Sequence, residues 1–483
     1  MSINKDIAKN TFIHLAGKFV GLVLGLLIVV ILTRYLGQQG FGYYSTVVAY
    51  LMFWAILVDF GLSLTTVQMI SDPSLDYNKT INNILSLRLI LSIGFVLVAS
   101  VLIWVFPYPL IVKLGVVIMV WAYFGLTFLQ TLTGIFQHKL QVYKVTIAEV
   151  AGKFVGVGLI GLCALFHKSI LYVFGALAIE GLIPFIILFL FTKQIVKVKW
   201  QIDLSLWKEI LSRTWPIALS ITFNLVYLRM DIIILSLVGT PAEVGLYGAA
   251  YRIVDVLTML PAVFMGIILP VVAAYFVQKK DKELKELLQK SFDALIIFSL
   301  PIVFGAFVVG RQLMQLIAGD EFVVSGDILK VLIIASGGIF ITSLFSYTVV
   351  GIKKQKTMMW GFLTAAIITL IGYIIFIPKY GYWGAAWMTV FSECLVMVWT
   401  IVIVYRTINF LPSLKTFLRT IPAALIMVLV INYLSDWFVL WVILIGAVVY
   451  FIVLYMLGGV KKEFILDIIK VKQDAGKTKN INH

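Results

Sequence analysis

The chain is written in long apolar runs separated by short polar breaks. A helix that crosses hydrocarbon needs about 20 apolar residues. Fourteen such runs can be read: 12–32, 42–66, 85–106, 110–136, 145–166, 169–191, 215–238, 243–276, 291–310, 326–350, 358–377, 383–405, 419–435 and 439–458. The breaks between them carry turn chemistry, as in Asp72-Pro73, Pro107-Tyr108-Pro109, Gly239-Thr240-Pro241 and Pro378-Lys379-Tyr380-Gly381. The first run is longer than a signal core, and TRYLGQQG follows it in place of a small-residue cleavage site, which predicts a retained first span. Connections are short. The longest are 192–214 and 277–290 on one side and about 311–325 on the other, so no soluble domain is inserted. Function is therefore expected inside the membrane or at its two faces.

Composition sharpens this picture. Of 483 residues, 62% are hydrophobic and 13% charged, with a mean hydropathy of +1.06. A soluble globule needs a polar exterior that this chain lacks, which excludes a soluble enzyme, a disordered chain and a nucleic-acid-binding domain. No nucleic acid partner is expected. The net charge of +15 reads instead as the cytoplasmic excess of Lys and Arg that orients membrane proteins. Counting fourteen spans puts Lys79 and Arg88, the five cations of 192–214, the five of 277–290 and the Lys-rich tail on one side. Only Arg34, Lys113, Lys168, Arg311 and Lys379 lie on the other. The chain is thus expected to be a multi-pass protein of the bacterial cytoplasmic (inner) membrane, with both termini cytoplasmic. Cys163 and Cys394 are too few for a disulfide framework or a zinc site and read as small buried hydrophobes. No metal and no cofactor is expected.

Charges left inside the spans are expensive, because an ionised side chain at the bilayer centre costs at least about 2.5–3.5 kcal/mol on insertion scales. Five cations fall there, Lys18, Lys153, Arg229, Arg252 and Lys330, together with the acids Asp59, Glu149, Glu180, Asp231, Asp255 and Glu393. Some have local partners by spacing: Glu149 and Lys153 are i, i+4, Arg252 and Asp255 are i, i+3, and Asp327 stands one turn before Lys330. Lys18, a few residues into the first span, can snorkel to the cytoplasmic face. Arg229 sits well inside the seventh span, with Asp231 pointing away from it around the helix. Buried cations in surplus suit an anionic substrate, Arg holding phosphate in bidentate fashion and Lys as a point charge. Asp59 and Glu393 have no basic residue within one turn, and a carboxyl group in a low dielectric can carry a proton. These acids are the candidates for coupling or gating, by H+ or Na+ and the membrane potential.

The chain also repeats. GQQGFGYYS at 37–45 parallels GTPAEVGLYG at 239–248: with one gap, Gly37 matches Gly239, Gly42 matches Gly245, and Tyr44 matches Tyr247. Glu180 and Glu393 fall in corresponding spans, the sixth and the twelfth. The expected division is an N-terminal six-helix bundle at 1–200, a second at 201–410, two additional transmembrane helices at 411–460 and a basic cytoplasmic tail at 461–483. Because six is even, the bundles share an orientation and their pseudo-twofold runs along the membrane normal.

Four stretches resemble the Wzx-type polysaccharide flippases of the multidrug/oligosaccharidyl-lipid/polysaccharide (MOP) exporter superfamily. They are TRYLGQQGFGYYS at 33–45, DFGL at 59–62, the long segment 216–270 with Asp231 and the EVGLYGAAYRI stretch, and IPKYGYWGAAWMTVFSE at 377–393. The likeness implies an all-α, MATE-like fold of about fourteen transmembrane helices, alternating access, and a substrate of sugars on a polyprenyl pyrophosphate. Its implied partners are that lipid-linked oligosaccharide, membrane lipids and other polysaccharide assembly proteins. After DFGL the family often carries a basic residue, and here the sequence reads SLTTVQ. Lys18 stands where related lipid flippases often use Arg. In this reading Arg229, Arg252, Lys18, Lys153 and Lys330 bind the headgroup, and Asp59, Glu393, Asp231, Asp255, Glu149 and Glu180 couple or gate. The alternatives are a multidrug or cation antiporter of the same superfamily, a flippase for a lipid-linked peptidoglycan precursor and, least favoured, a polysaccharide polymerase or ligase, which needs a longer outer loop. The protein is expected not to be an enzyme.

Overall fold

The computed structural model describes the backbone of residues 2–459, and their side chains apart from those of 2–12, 15, 64, 216, 217, 219–221 and 224–226. The expected tail at 461–483 lies outside the described residues, as do the side chains of Lys5 and Lys9. Among the described residues the regular structure is entirely helical. The α-helices are α1 (Ser2–Asp59), α2 (Leu62–Ile70), α3 (Tyr77–Leu102), α4 (Leu110–His138), α5 (Val142–Leu165), α6 (Ile170–Ile195), α7 (Leu204–Val238), α8 (Pro241–Val277), α9 (Asp281–Ala318), α10 (Val323–Gly351), α11 (Gln355–Ile408), α12 (Lys415–Tyr433) and α13 (Val439–Met456), with short 3-10 turns at Ile103–Val105 and Asp320–Phe322.

Two of these helices are too long for one crossing. α1 has 58 residues and α11 has 54, and each contains one glycine in the left-handed region, Gly37 at φ 63° and Gly381 at φ 56°. A β-carbon disfavours that backbone, so the glycines of TRYLGQQG and PKYGY are where a span ends and the next begins. Divided there, α1 supplies the first span and, with α2, the second. α11 supplies the eleventh and twelfth, and all fourteen expected spans have their helix.

Connections differ more than spans. The fifteen-residue outer loop expected at 311–325 is nearly all helix, because α9 runs to Ala318 and α10 begins at Val323. Arg311 clamps the two ends by donating from Nε and Nη2 to Asp327 at 2.6–3.0 Å. On the other side the expected loop 277–290 shrinks to three residues, since α9 begins at Asp281. Its first turns read DKELKELLQK, and the apolar stripe of that segment is buried at Leu284 and Leu288. Cys163 is half-buried and Cys394 exposed, so the expectation of two buried cysteines fails. At membrane depth the outside of a helix is apolar too, and hydropathy does not tell a lipid-facing thiol from a buried one.

The described residues form two compact units, one made of the chain up to Ala249 with Ile317–Phe322 and Phe362–Thr389, the other of Ala250–Leu316, Val323–Gly361 and Val390 onward. In the first unit, Leu132, Ile135 and Phe136 of α4, Val145 and Ala148 of α5 and Leu188 of α6 form a buried cluster. In the second, α12 and α13 are fastened to α9 at three depths. Gln289 exchanges two hydrogen bonds with the backbone of Ser413, and Gln312 donates to Ser435 O at 2.7 Å. Between them, Pro301 has no N–H to give to the carbonyl four residues earlier. That carbonyl, Ile297 O, accepts from the Tyr450 hydroxyl at 2.8 Å instead.

The connection from α6 to α7 is a strap laid along α3. Asn82 Nδ2 donates to Lys197 O and its Oδ1 accepts from Lys199 N, at 3.2 and 3.0 Å. Gln201 N donates to Ser86 Oγ and Asp203 N to Asn83 Oδ1, at 2.9 and 2.8 Å. Asp203 then caps α7 and pairs with Lys79 at 2.7 Å. The Lys79 ammonium, helped by Ser205 and the Leu206 amide, holds the Asp203 carboxyl far below the usual carboxylate range. A depressed carboxyl stabilises above its unfolded value and loses that effect as pH falls through its folded value. Lys79→Gln removes the ammonium and raises the folded value toward the ordinary carboxylate range, with Ser205 and the Leu206 amide still lowering it. The strap of the variant should therefore loosen at higher pH than that of the wild type, read as pH-dependent hydrogen exchange at 197–203.

Candidate functional site

α1 and α5 run in parallel and meet along a polar line. His14 Nδ1 lies 2.6 Å from Thr146 Oγ1, Lys18 Nζ donates to Glu149 at 2.7 Å, and Lys153 Nζ donates to Gly21 O at 2.8 Å. The partners are 131 or 132 positions apart each time, so the register is kept over three contacts. The i, i+4 spacing of Glu149 and Lys153 suggested a pair within α5, but each side chain reaches across to α1. Gly21 and Gly25 make room there, a β-carbon on Gly25 standing 3.0 Å from Lys153 Nζ. Glu180 of α6 packs against Gly156 of α5 and lies within electrostatic reach of Lys153. Four of the sequence candidates, Lys18, Glu149, Lys153 and Glu180, are thus brought together.

Asp59 sits at a break. α1 ends on it, Phe60 and Gly61 both take positive φ (47° and 75°), and α2 resumes at Leu62. This gives DFGL a physical meaning: the second span is interrupted at membrane depth, where freed backbone groups need partners from the protein. Arg88 of α3 supplies one of them and ties the break to its surroundings. It pairs with Asp59, donates from Nε to Thr131 at 2.6 Å, and gives its Nη1 and Nη2 to Val58 O and Ser63, each at 3.3 Å. Arg88 has no exposed surface. By span counting it belongs with the cytoplasmic cations, yet it falls inside the run 85–106. Nor does spacing give Asp59 a base, because a one-turn search cannot see a partner 29 residues away. Arg88 is the residue that reasoning missed, and its place inside the run was the available signal.

In the seventh span, Asp231 is buried and accepts from Tyr247 at 2.6 Å, from the Ile232 amide at 2.7 Å and from Thr389 at 3.4 Å. Arg229 is half-buried and within electrostatic reach of Asp231. In the second unit Arg252 and Asp255 pair at 3.7 Å, and Lys330 shares Asp327 with Arg311 at 2.9 Å. Glu393 is buried against Gly338 of α10. Outside the spans, Asp72 is held in a loop. Ser74 donates to Asp72 from its hydroxyl and its amide and, with Arg213, keeps that carboxyl below its ordinary value.

The repeat-related stretches touch. A β-carbon on Gly42 would stand 1.7 Å from Pro241 O, and one on Gly245 would stand 2.1 Å from Gln38 O. Each would also approach the other glycine's nitrogen, at 3.2 and 3.1 Å. Gly248, three residues on, faces Ser45, three residues beyond Gly42. Positions that the repeat equates thus meet their own equivalents, the reciprocal pattern of a twofold contact. Glu321 reinforces the Gly37 turn by accepting from Gln38 N at 3.3 Å.

A family model described as "Polysaccharide biosynthesis protein" matches residues 7–276, and one described as MatE matches 216–378. A low-salt glycan biosynthesis flippase of Haloferax volcanii is 25% identical over 171 residues, 34% of this chain and 35% of that one, so the match spans about a third of that relative. A protein of Shigella dysenteriae named as an O-antigen transporter is 24% identical over 384 residues, covering 76% of this chain and 92% of its own. Among solved structures, the lipid II flippase MurJ in an inward closed conformation superposes with a TM-score of 0.77 at 16% identity, over 95% of this chain and all of that one. An inward-facing multidrug resistance MATE family transporter superposes at 0.68 and 14% identity, over 82% and 98%. At such identities the superpositions establish the fold: the chain is all-α and multi-pass, with the architecture that these two transporters share.

Proposed function

The chain belongs to the polysaccharide biosynthesis protein family, and from that membership we propose that it is a transporter, a flippase moving a polyprenyl-pyrophosphate-linked oligosaccharide from the cytoplasmic to the outer leaflet. The observation that carries this reading is the polar line of α1, α5 and α6, where His14, Lys18, Lys153, Glu149 and Glu180 occupy successive turns of otherwise apolar helices. A glycan cannot cross about 30 Å of hydrocarbon unaided, but its lipid tail can remain in the bilayer while the headgroup passes along such a line. Pyrophosphate would compete with Glu149 for Lys18, and Arg229 offers the fork geometry that phosphate oxygens accept in pairs. In the second unit, Arg252 and Lys330 are further candidate cations for the anionic headgroup. The bundles at 1–200 and 201–410 rock about their common axis, with the Gly42–Gly245 contact made in one state and broken in the other. Both termini lie in the cytoplasm, the membrane is the inner one, and polysaccharide assembly proteins supply and receive the substrate. No cofactor takes part. An inward-negative potential favours outward movement of an anion by about 2.3 kcal/mol per charge per 100 mV, and H+ or Na+ exchange at the buried carboxyls adds to it.

A second reading, cation antiport, is favoured by the MatE match and the buried acids Asp231 and Glu393. One experiment separates the two. Purified protein in liposomes is given a fluorescent oligosaccharide on polyprenyl pyrophosphate, and glycan accessibility to an external enzyme is followed. Wild type should speed the crossing and Arg229→Ala should slow it about 10- to 100-fold, the worth of a charge-assisted hydrogen bond to phosphate. Export of a cationic dye without glycan movement would support the antiporter. Preference for a lipid-linked peptidoglycan precursor would reassign the substrate within the flippase reading.

A further inference from the structure

The strap between α6 and α7 presents a face that, among the described residues, is left exposed. Asn82, Asn83 and Ser86 of α3 hold its backbone, fixing which side chains turn outward. Trp200, Ile202 and Leu204 alternate along it, as side chains on one face of an extended segment do. They are 57%, 65% and 74% exposed. Polar and charged side chains surround this apolar row. Asp203 is paired with Lys79, and Glu209 and Asp72 with Arg213. Lys197, Lys199 and Lys208 are exposed and, among the described residues, have no acidic partner. The patch therefore joins uncompensated positive charge to three outward apolar side chains, one of them a tryptophan.

Its height is fixed by its neighbours. α6 has 26 residues, about 39 Å at 1.5 Å per residue, so it clears a hydrocarbon core of about 30 Å and ends among the headgroups. The strap begins where α6 ends and is held by Asn82 and Ser86 in the first turns of α3, so it runs along the interface. An apolar row with tryptophan, edged by lysines at that depth, fits an anionic lipid surface, where Trp takes the glycerol level and Lys the phosphates. We infer that the strap is a docking surface for the acidic phospholipid interface of the cytoplasmic leaflet. It holds the connection between the two bundles against the membrane through Trp200, Ile202 and Leu204, and Lys197, Lys199 and Lys208 select anionic headgroups. This rests on the cytoplasmic placement of the 192–214 connection and not on the identity of the transported molecule.

The test uses the full chain in nanodiscs, with Cys163 and Cys394 replaced by alanine and Ile202→Cys carrying an environment-sensitive fluorophore. Lipids brominated near the glycerol should quench the fluorophore and aqueous iodide should not. Quenching by iodide alone would overturn the proposal. In nanodiscs of mixed phosphatidylcholine and phosphatidylglycerol, the protein should enrich phosphatidylglycerol in its lipid shell. Each lysine changed among Lys197→Gln, Lys199→Gln and Lys208→Gln should lower that preference about fivefold at low salt, the effect of one basic residue near a charged surface. A triple variant that enriches the acidic lipid as wild type does would also overturn it. Neither readout involves transport, so a failure of glycan flipping leaves both arms interpretable.

Discussion

Arg88→Met is expected to destabilise the protein by about 3–5 kcal/mol, the penalty for leaving one member of a buried ion pair without the other. Arg88 has no exposed surface and Asp59 only 14%. The variant also strips donors from Val58 O and Thr131 beside the break in the second span, where no bulk water can replace them. Asp59→Leu alone should fall in the same range for the opposite reason, since the guanidinium is then stranded. The double variant should recover a large part of the loss, because exchanging both partners for apolar groups removes the stranded charge. Thermal unfolding in detergent measures all three, and strictly additive losses would show that the two residues do not act as a pair.

Gly42→Ala should disable transport rather than merely weaken packing. Its new methyl would stand 1.7 Å from a backbone carbonyl, which cannot rotate away as a side-chain end can. The stretches at 37–45 and 239–248 must then separate, at a cost of about 1–3 kcal/mol or more. If that contact closes the outer side during the cycle, the population shifts toward the open form. A shift of that size changes an equilibrium by about 5- to 150-fold. In a background freed of Cys163 and Cys394, a cysteine at Ser45, buried beside Gly248, should become reactive to an impermeant maleimide added from outside. Gly245→Ala should act alike. Gly158→Ala, where a β-carbon meets nothing within 4 Å, should change neither labelling nor transport. Unchanged labelling in Gly42→Ala would mean that these glycines serve static packing.

Spans are legible because hydrocarbon imposes one rule on every turn of a crossing helix, and Gly37 and Gly381 mark turns because only glycine sits easily at their φ angles. Connections are less legible, because a charged stretch can be helix as readily as loop. Arg311 and the DKELKELLQK run are charged and helical, the first tied to Asp327 and the second carrying its own buried stripe. The site divides in the same way. Which residues are charged at membrane depth follows from the string alone. Which residues they touch does not, because spacing rules see one helix at a time. Lys153 bonds to Gly21, Glu149 to Lys18 and Asp59 to Arg88, each across a helix boundary. The 192–214 connection shows in the sequence but its order does not, since that order comes from Asn82, Asn83 and Ser86, more than a hundred positions earlier.

The bond from Tyr450 to Ile297 O sets a condition on the order in which the protein can be built. Pro301 enters the bilayer long before α13 has been synthesised, and until Tyr450 arrives the carbonyl it leaves open has no donor from α13. A nascent chain halted before Val439 would carry that defect in α9, together with the bare flank that α12 and α13 later cover. This flank of α9 and the Pro301 break are thus made good from a distance in the chain, and α9 reaches its final hydrogen bonding only when α13 packs against it.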